Sequence, residues 1–336
     1  MPNALPRVAI ATGDPAGIGP EVGLKCALDP AVNAICRPMV VGDPAVLARH
    51  AEAAGIKTSF NVIEEAREAK WQGTPNAALN VLNAPMPDVE QFAFGKSGAN
   101  YGLGALASAR RAIKAAMAND VEAVVAAPQN ETSIHAAGIH FDGYPSFVAK
   151  ETGTDIHDVF LMLCFGERRI VHTTLHVGVA EAVRLVTRER VGRAIKAADT
   201  ALKRLGVASP KIIVGGLNPH AGEGGLFGRE EIEIISPAIE DAKKTGIAVE
   251  GPYGADTMFP KKCDAFVVML HDQGHITAKL LAPNQTAGLA IGTPILFSSV
   301  AHGSAYDIAG KGVASHAAMV EAIKRLVGAP AAAKAA

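Results

Sequence analysis

The sequence predicts an α/β fold of two lobes built on largely parallel, buried strands. Short apolar, β-branched runs alternate with longer amphipathic ones, the pattern of strands joined by crossover helices. The strand candidates are apolar almost throughout, as strands covered on both faces are. With 336 residues, 49% of them hydrophobic, the chain can bury more than one core, which favours two lobes over a single layer.

The strand candidates in chain order are residues 7–11, 38–41, 123–127, 159–164, 169–174, 211–214 and 265–270. Helices are expected at 44–54, 104–118, 181–205, 230–244 and 314–327, several of them stopping at Gly or Asn. Residues 56–100, rich in Asn, Pro and Gly, read as short antiparallel pieces at an edge or an arm. The low-complexity tail 329–336 is expected to fray. No linker marks a domain boundary, so the chain is read as one unit of two lobes, free to cross between them more than once.

After the first strand comes Gly13-Asp14-Pro15-Ala16-Gly17-Ile18-Gly19-Pro20-Glu21. Three glycines permit positive φ and close backbone approach, two prolines stiffen the turn, and Pro20 and Glu21 suit the first turn of a helix. Such a strand, loop and helix start offers free N–H groups to an anion. A purely structural strand-to-helix turn is the alternative. The spacing is not the G-x-G-x-x-G of dinucleotide folds, and no G-x-x-x-x-G-K-[ST] occurs.

Charge narrows the partner. The chain carries 32 Lys and Arg against 33 Asp and Glu, a net charge of -1, and no long basic block. Nucleic acid and anionic membrane are therefore not expected, and a small molecule is. No signal-type apolar segment opens the sequence and no run reaches membrane-spanning length, which points to a cytoplasmic protein. Four cysteines without a C-x-x-C read as reduced core thiols.

Three of the eleven histidines stand at expected strand ends, where α/β proteins place their chemistry. His176 closes the strand 169–174, His220 lies in the glycine-rich loop 215–225, and His271 opens His271-Asp272-Gln273-Gly274. Neutral imidazoles from three strand ends can make an open site for a divalent metal. Asp256 and Asp272 are available to orient the imidazoles or the waters of the metal. His172 shares a strand face with His176, so it reads either as support behind the site or as core. His50, His157 and His316 read as solvated or capping.

The loop 13–21, the segment 216–225, Ala255-Asp256-Thr257 and 271–274 together resemble the 4-hydroxythreonine-4-phosphate dehydrogenase family, over nearly the whole chain. That resemblance implies two α/β lobes with a cleft, like isocitrate and isopropylmalate dehydrogenases. It implies NAD or NADP as hydride acceptor and a homodimer. It also implies a divalent ion (zinc, or else magnesium, manganese, cobalt or iron) held by His176, His220 and His271 contributed by both subunits. Lys279 falls on the family lysine, as proton donor or charge partner of a carboxylate. A solvated lysine is the alternative.

The substrate positions depart from the family. Gly143-Tyr144-Pro145-Ser146 stands in place of Gly-His-Thr-Glu, Gly288 in place of an asparagine and Phe297 in place of an arginine. Losing a guanidinium and an amide removes anion donors and makes the pocket more apolar. These variants are more similar to the terephthalate cis-dihydrodiol dehydrogenase branch, which oxidises a ring diol and releases carbon dioxide. On that reading Tyr144 and Phe297 pack a flat ring, Pro145 lies beside them, and Ser146 or Asn284 hydrogen-bonds a carboxylate. Gly13, Asp14, Gly17 and Gly19 are candidates for positioning cofactor or substrate phosphates, and Asn218 for the nicotinamide half. The competing expectations are a dehydrogenase acting on 4-hydroxythreonine 4-phosphate or a phosphorylated sugar acid, and a non-catalytic binding protein. The three histidines and Lys279 argue against the last.

Overall fold

Apolar runs rich in Val and Ile cannot stay solvated, and in this chain they become strands covered by helices. The computed structural model describes residues 5–71, 78–282, 286–300 and 302–327. The described strands are β1 (Arg7–Ala11), β2 (Arg37–Gly42), β3 (Phe60–Ile63), β4 (Leu79–Asn83), β5 (Ala123–Ala126), β6 (Phe160–Phe165), β7 (Arg168–His172), β8 (Lys211–Gly215), β9 (Ala248–Tyr253), β10 (Ala265–Val268), β11 (Ala287–Ile291) and β12 (Leu296–Val300). The helices are α1 (Gly19–Leu28), α2 (Pro30–Ile35), α3 (Pro44–Ala53), α4 (Ala99–Met117), α5 (Glu131–Ala136), α6 (Tyr144–Thr152), α7 (Val179–Leu185), α8 (Arg188–Arg204), α9 (Ser236–Lys244), α10 (His271–Leu281) and α11 (Ala317–Val327). The chain divides into two units, residues 1–153 with 294–336, and residues 154–293.

In the first unit the strands run β3-β4-β2-β1-β5-β12, every described pair parallel. Val8, Ala9, Ile10 and Ala11 are fully buried, with α1 and α4 packed on the strand. Residues 56–100 correct the sequence reading: β3 and β4 do lie at the sheet edge, but they pair parallel. The chain between them passes through a short turn at Ala66–Glu68 and re-enters the sheet in the same direction, whereas antiparallel pairing needs only a hairpin. The tail 329–336 lies outside the described residues.

The second unit runs β11-β6-β7-β10-β8-β9. Here β6 pairs antiparallel with both β11 and β7, while β7, β10, β8 and β9 are parallel. The expected helix 181–205 is two helices. Thr187 breaks it, its hydroxyl accepting from the Arg190 N–H to cap α8. The expected helix 230–244 opens with a wide turn at Glu231–Ile235, ahead of Pro237 in α9, and this turn brings Glu231 inward at 3% exposure.

His50 on α3 is a further correction. It is buried, 1% exposed, with its ring edge-on to Phe94 and Nε2 2.8 Å from the Pro15 carbonyl. Burial pushes its imidazole from 6.5 down to about 4. A base whose folded pKa lies below its unfolded value contributes full stability above pH 6.5 and loses it as pH falls towards 4. The loss from this one group is up to ~3 kcal/mol. Urea unfolding of wild type and His50→Gln at pH 7 and pH 4.5 tests this. The wild type should lose more stability between the two, and equal losses would remove His50 as the cause.

Candidate active site

In the second unit β7, β10 and β8 are adjacent and parallel, so their C-terminal ends open on one edge, where α/β sheets bind ligands. Thr173 N–H donates to the Val268 carbonyl, and the Thr174 N–H and hydroxyl both donate to Met269 O. These bonds bring the segment carrying His176 against the turn that starts α10 at His271. The His176 and His271 rings lie 5.5 Å apart between centroids. His275, one turn along α10, stacks on His271 at 3.8 Å and 10°, and its Nδ1 is 3.1 Å from Nε2 of buried His172. Burial is the main force pushing His172 down to about 3 and His275 to about 4, so both are neutral rings backing the pair.

The neighbours orient this pair. Asp272 Oδ1 lies 2.7 Å from His271 Nδ1, a bond that restrains the ring and does not engage Nε2. Gln273 accepts from the Met269 and Leu270 N–H groups and donates 3.0 Å to the Gly216 carbonyl, tying α10 to the end of β8. Gly274 must be glycine, because a Cβ there would sit 2.2 Å from His172 Nε2. Lys279 follows His271 and His275 at four-residue spacing on α10 and is exposed.

His220 is placed differently. It sits in Pro219–Gly225, where His220, Ala221, Gly222, Glu223, Gly224 and Gly225 all have positive φ. Three of these are not glycine, and each costs roughly 1–2 kcal/mol. Glu231 braces the loop, accepting from the Leu217 and Asn218 N–H groups at 2.8 Å. The Asn218 side-chain amide is itself committed to Glu230 and Glu231. His220 is exposed, edge-on to Phe227 and 3.4 Å from Glu223. Its backbone lies against the turn at Gly254 that carries exposed Asp256. It makes no ring contact with His176 or His271. Among the described residues of one chain, no group of three His, Cys, Asp or Glu side chains gathers closely enough to hold a metal.

The glycine loop of the first unit is buried, and its Asp14, Ala16, Gly17 and Ile18 N–H groups are satisfied within the protein. Asp14 N–H donates to Pro128 O, Ala16 N–H to Asp14 Oδ1, Gly17 N–H to Asp14 O and Ile18 N–H to Ser304 O. The expectation of free donors is therefore not met at these positions. Tyr306 donates to Asp14 at 2.5 Å. Burial nevertheless raises the Asp14 pKa above the usual carboxylate value, against the pull of that bond.

Tyr144 begins α6, its hydroxyl donating 3.0 Å to Ala127 O and its ring 5.0 Å from Phe297. Phe297 is only 1% exposed, so it supports Tyr144 from beneath and does not itself face a ligand. Pro145 fixes the first turn of α6, and Ser146 Oγ donates to Gly143 O and bonds Asp142. Gly288 lies inside β11, opposite Leu163. Asn284 falls outside the described residues. Sequence reasoning missed His275, Gln273 and Glu231. The four-residue spacing from His271 was the signal for the first.

The sequence profile described as "Pyridoxal phosphate biosynthetic protein PdxA" matches residues 34–326. The chain belongs to the PdxA family. It is 41% identical over 328 residues to the 1,2-dihydroxy-3,5-cyclohexadiene-1,4-dicarboxylate dehydrogenase of a Comamonas species, covering 95% of this chain and 96% of the relative. To the D-threonate 4-phosphate dehydrogenase of Cupriavidus necator it is 37% identical, over 97% of each. A crystal structure of 4-hydroxythreonine-4-phosphate dehydrogenase from Burkholderia phymatum superposes with a TM-score of 0.86 at 35% identity, covering 97% of this chain and 98% of that one. This PdxA-family chain is thus a dehydrogenase of α/β architecture. No helix among its described residues is long and apolar enough to cross a membrane.

Proposed function

We propose that the chain is a metal-dependent NAD or NADP dehydrogenase that oxidises a hydroxyl β to a carboxylate, with decarboxylation, on a terephthalate-type cis-dihydrodiol dicarboxylate. The observation that carries this substrate class is Tyr144 held over Phe297 where the family pattern has anion donors. A tyrosine face suits a flat ring, whereas a phosphate dianion needs cations or N–H groups. Similarity to the Comamonas enzyme supports the same reading.

The donor set fits a divalent ion in two halves. His176 and His271, with Asp272 behind them, form one; His220, beside the Asp256 turn, forms the other. We assign the two halves of each site to different copies of the chain. Exposed Val179, Leu226 and Leu280, each more than 70% exposed, lie near His176, His220 and His271 in sequence, as a surface covered by a second copy requires. When bound, the ion supplies Lewis acidity, easing proton loss from the reacting hydroxyl and drawing electrons towards the new carbonyl. Asp272 holds His271 in the tautomer that presents Nε2, and neutral His275 and His172 back the ring without adding charge. Oxidation leaves a β-keto acid, and loss of carbon dioxide from it aromatises the ring. Lys279, extending from α10, supplies a cation for a carboxylate or a proton to the product.

NADH formation by metal-loaded protein with terephthalate cis-dihydrodiol, and separately with 4-hydroxythreonine 4-phosphate, tests this. The diol should be oxidised with protocatechuate as product. Turnover of the phosphate ester alone would defeat the substrate assignment and keep the family chemistry.

A further inference from the structure

We propose that Gln129 is a substrate-binding residue, its carboxamide pairing with the carboxylate and hydroxyl of the hydroxy acid the enzyme oxidises. The assignment rests on the hydroxy-acid dehydrogenase reading above. Gln129 lies just beyond the C-terminal end of β5, the end at which parallel sheets bind ligands. Its Nε2 and Oε1 are both buried, and neither has a hydrogen-bond partner among the described residues. Burial raises the pKa of the Tyr144 phenol and the nearby Gln129 side chain opposes that rise, but the hydroxyl itself is turned to the Ala127 carbonyl. The next residue, Asn130, is accounted for: its side chain caps α5 through the Ser133 N–H. Gln129 therefore sets an amide without a described partner near Tyr144.

A fold rarely leaves both ends of a buried amide unmatched, since each such group carries a desolvation penalty, and a ligand or water commonly supplies the partner. A carboxamide donates and accepts at once. Its Nε2 suits a carboxylate, which only accepts, and its Oε1 suits a hydroxyl, which donates. A phosphate dianion against Oε1 would bring two acceptors together. One side chain thus reads the pairing of hydroxyl and carboxylate that the proposed substrate carries.

The test is steady-state kinetics of Gln129→Leu and Gln129→Glu with whichever of the two substrates above the wild type oxidises, together with thermal unfolding of the ligand-free proteins. Gln129→Leu should raise KM about tenfold or more with an unchanged or higher unfolding midpoint, because it removes an unpaired amide. Gln129→Glu should bind more weakly still, since it faces a carboxylate with a carboxylate. A smaller rise in KM, a lowered midpoint for Gln129→Leu, or tighter binding by the Glu variant than by the Leu variant overturns the assignment. If the wild type oxidises only the phosphate ester, the preceding substrate reading fails while the Gln129 comparison is still read with that ester. Failure to turn over either compound, with no binding of terephthalate by calorimetry, overturns both.

Discussion

His271→Ala should abolish turnover, with kcat/KM falling by at least ~10³-fold at any metal concentration, because on the proposed ligand set its imidazole is one of three metal donors. An active His271→Ala enzyme would refute the ligand assignment outright. His220→Ala should be equally inactive, although in one chain His220 makes no contact with His271 and stands exposed on its own strained loop. The pair of variants then separates two arrangements. If each site takes His176 and His271 from one copy and His220 from the other, mixed dimers of the two variants contain one site with both substitutions and one with neither. Random mixing makes half the dimers mixed, so coexpression of two dead proteins should restore about a quarter of wild-type activity. If all three ligands come from one chain, every site keeps one substitution and the mixture stays dead. Metal content read alongside should follow activity.

The fold was readable in sequence where a strand's apolar run is long and bounded. Each of the seven strand candidates overlaps a described strand, though the candidates 169–174 and 265–270 run two residues past β7 and β10, because Val, Ile and Leu in unbroken runs leave few ways to be buried. Strand β11, Ala287–Ile291, was missed: its Ala-Gly-Leu-Ala-Ile is too small-sided to stand out, and pairing with β6 defines it. The break at Val186-Thr187 was missed because amphipathic spacing continues across it, and only a side-chain cap stops the helix. The histidines could be singled out by their strand-end positions, but the neighbourhood of each could not. That His271 and His176 meet while His220 stands apart depends on long-range bonds such as Thr174 to Met269 and Gln273 to Gly216. Phe297 shows the same limit from the other side: its residue type suggested a ring-packing wall, and only burial reveals it as the support beneath Tyr144.

Gly13→Ala should be among the most destabilising single-methyl changes in the first unit, costing about 3–5 kcal/mol. Two effects add there. The residue has φ +64, which charges any side chain roughly 1–2 kcal/mol. A Cβ would also lie 2.2 Å from the Pro128 carbonyl oxygen and 2.8 Å from that of Ala127, and neither backbone group can swing aside. Relief must come from lengthening the Asp14 to Pro128 hydrogen bond, 2.8 Å in the native loop, which is the bond that seats Asp14. Gly138→Ala is the control, since its φ is +72 but nothing lies within 4 Å of the added carbon; it should cost only the conformational part. The difference between the two unfolding free energies isolates the price of close approach. Equal losses would mean that the loop relaxes freely and that its glycines serve something other than packing. KM for the nicotinamide cofactor, measured on the folded fraction of Gly13→Ala, then decides between the two readings of the motif. A loop whose N–H groups point inward should leave that KM within a factor of about two, whereas a cradle for cofactor phosphates should lose tenfold or more.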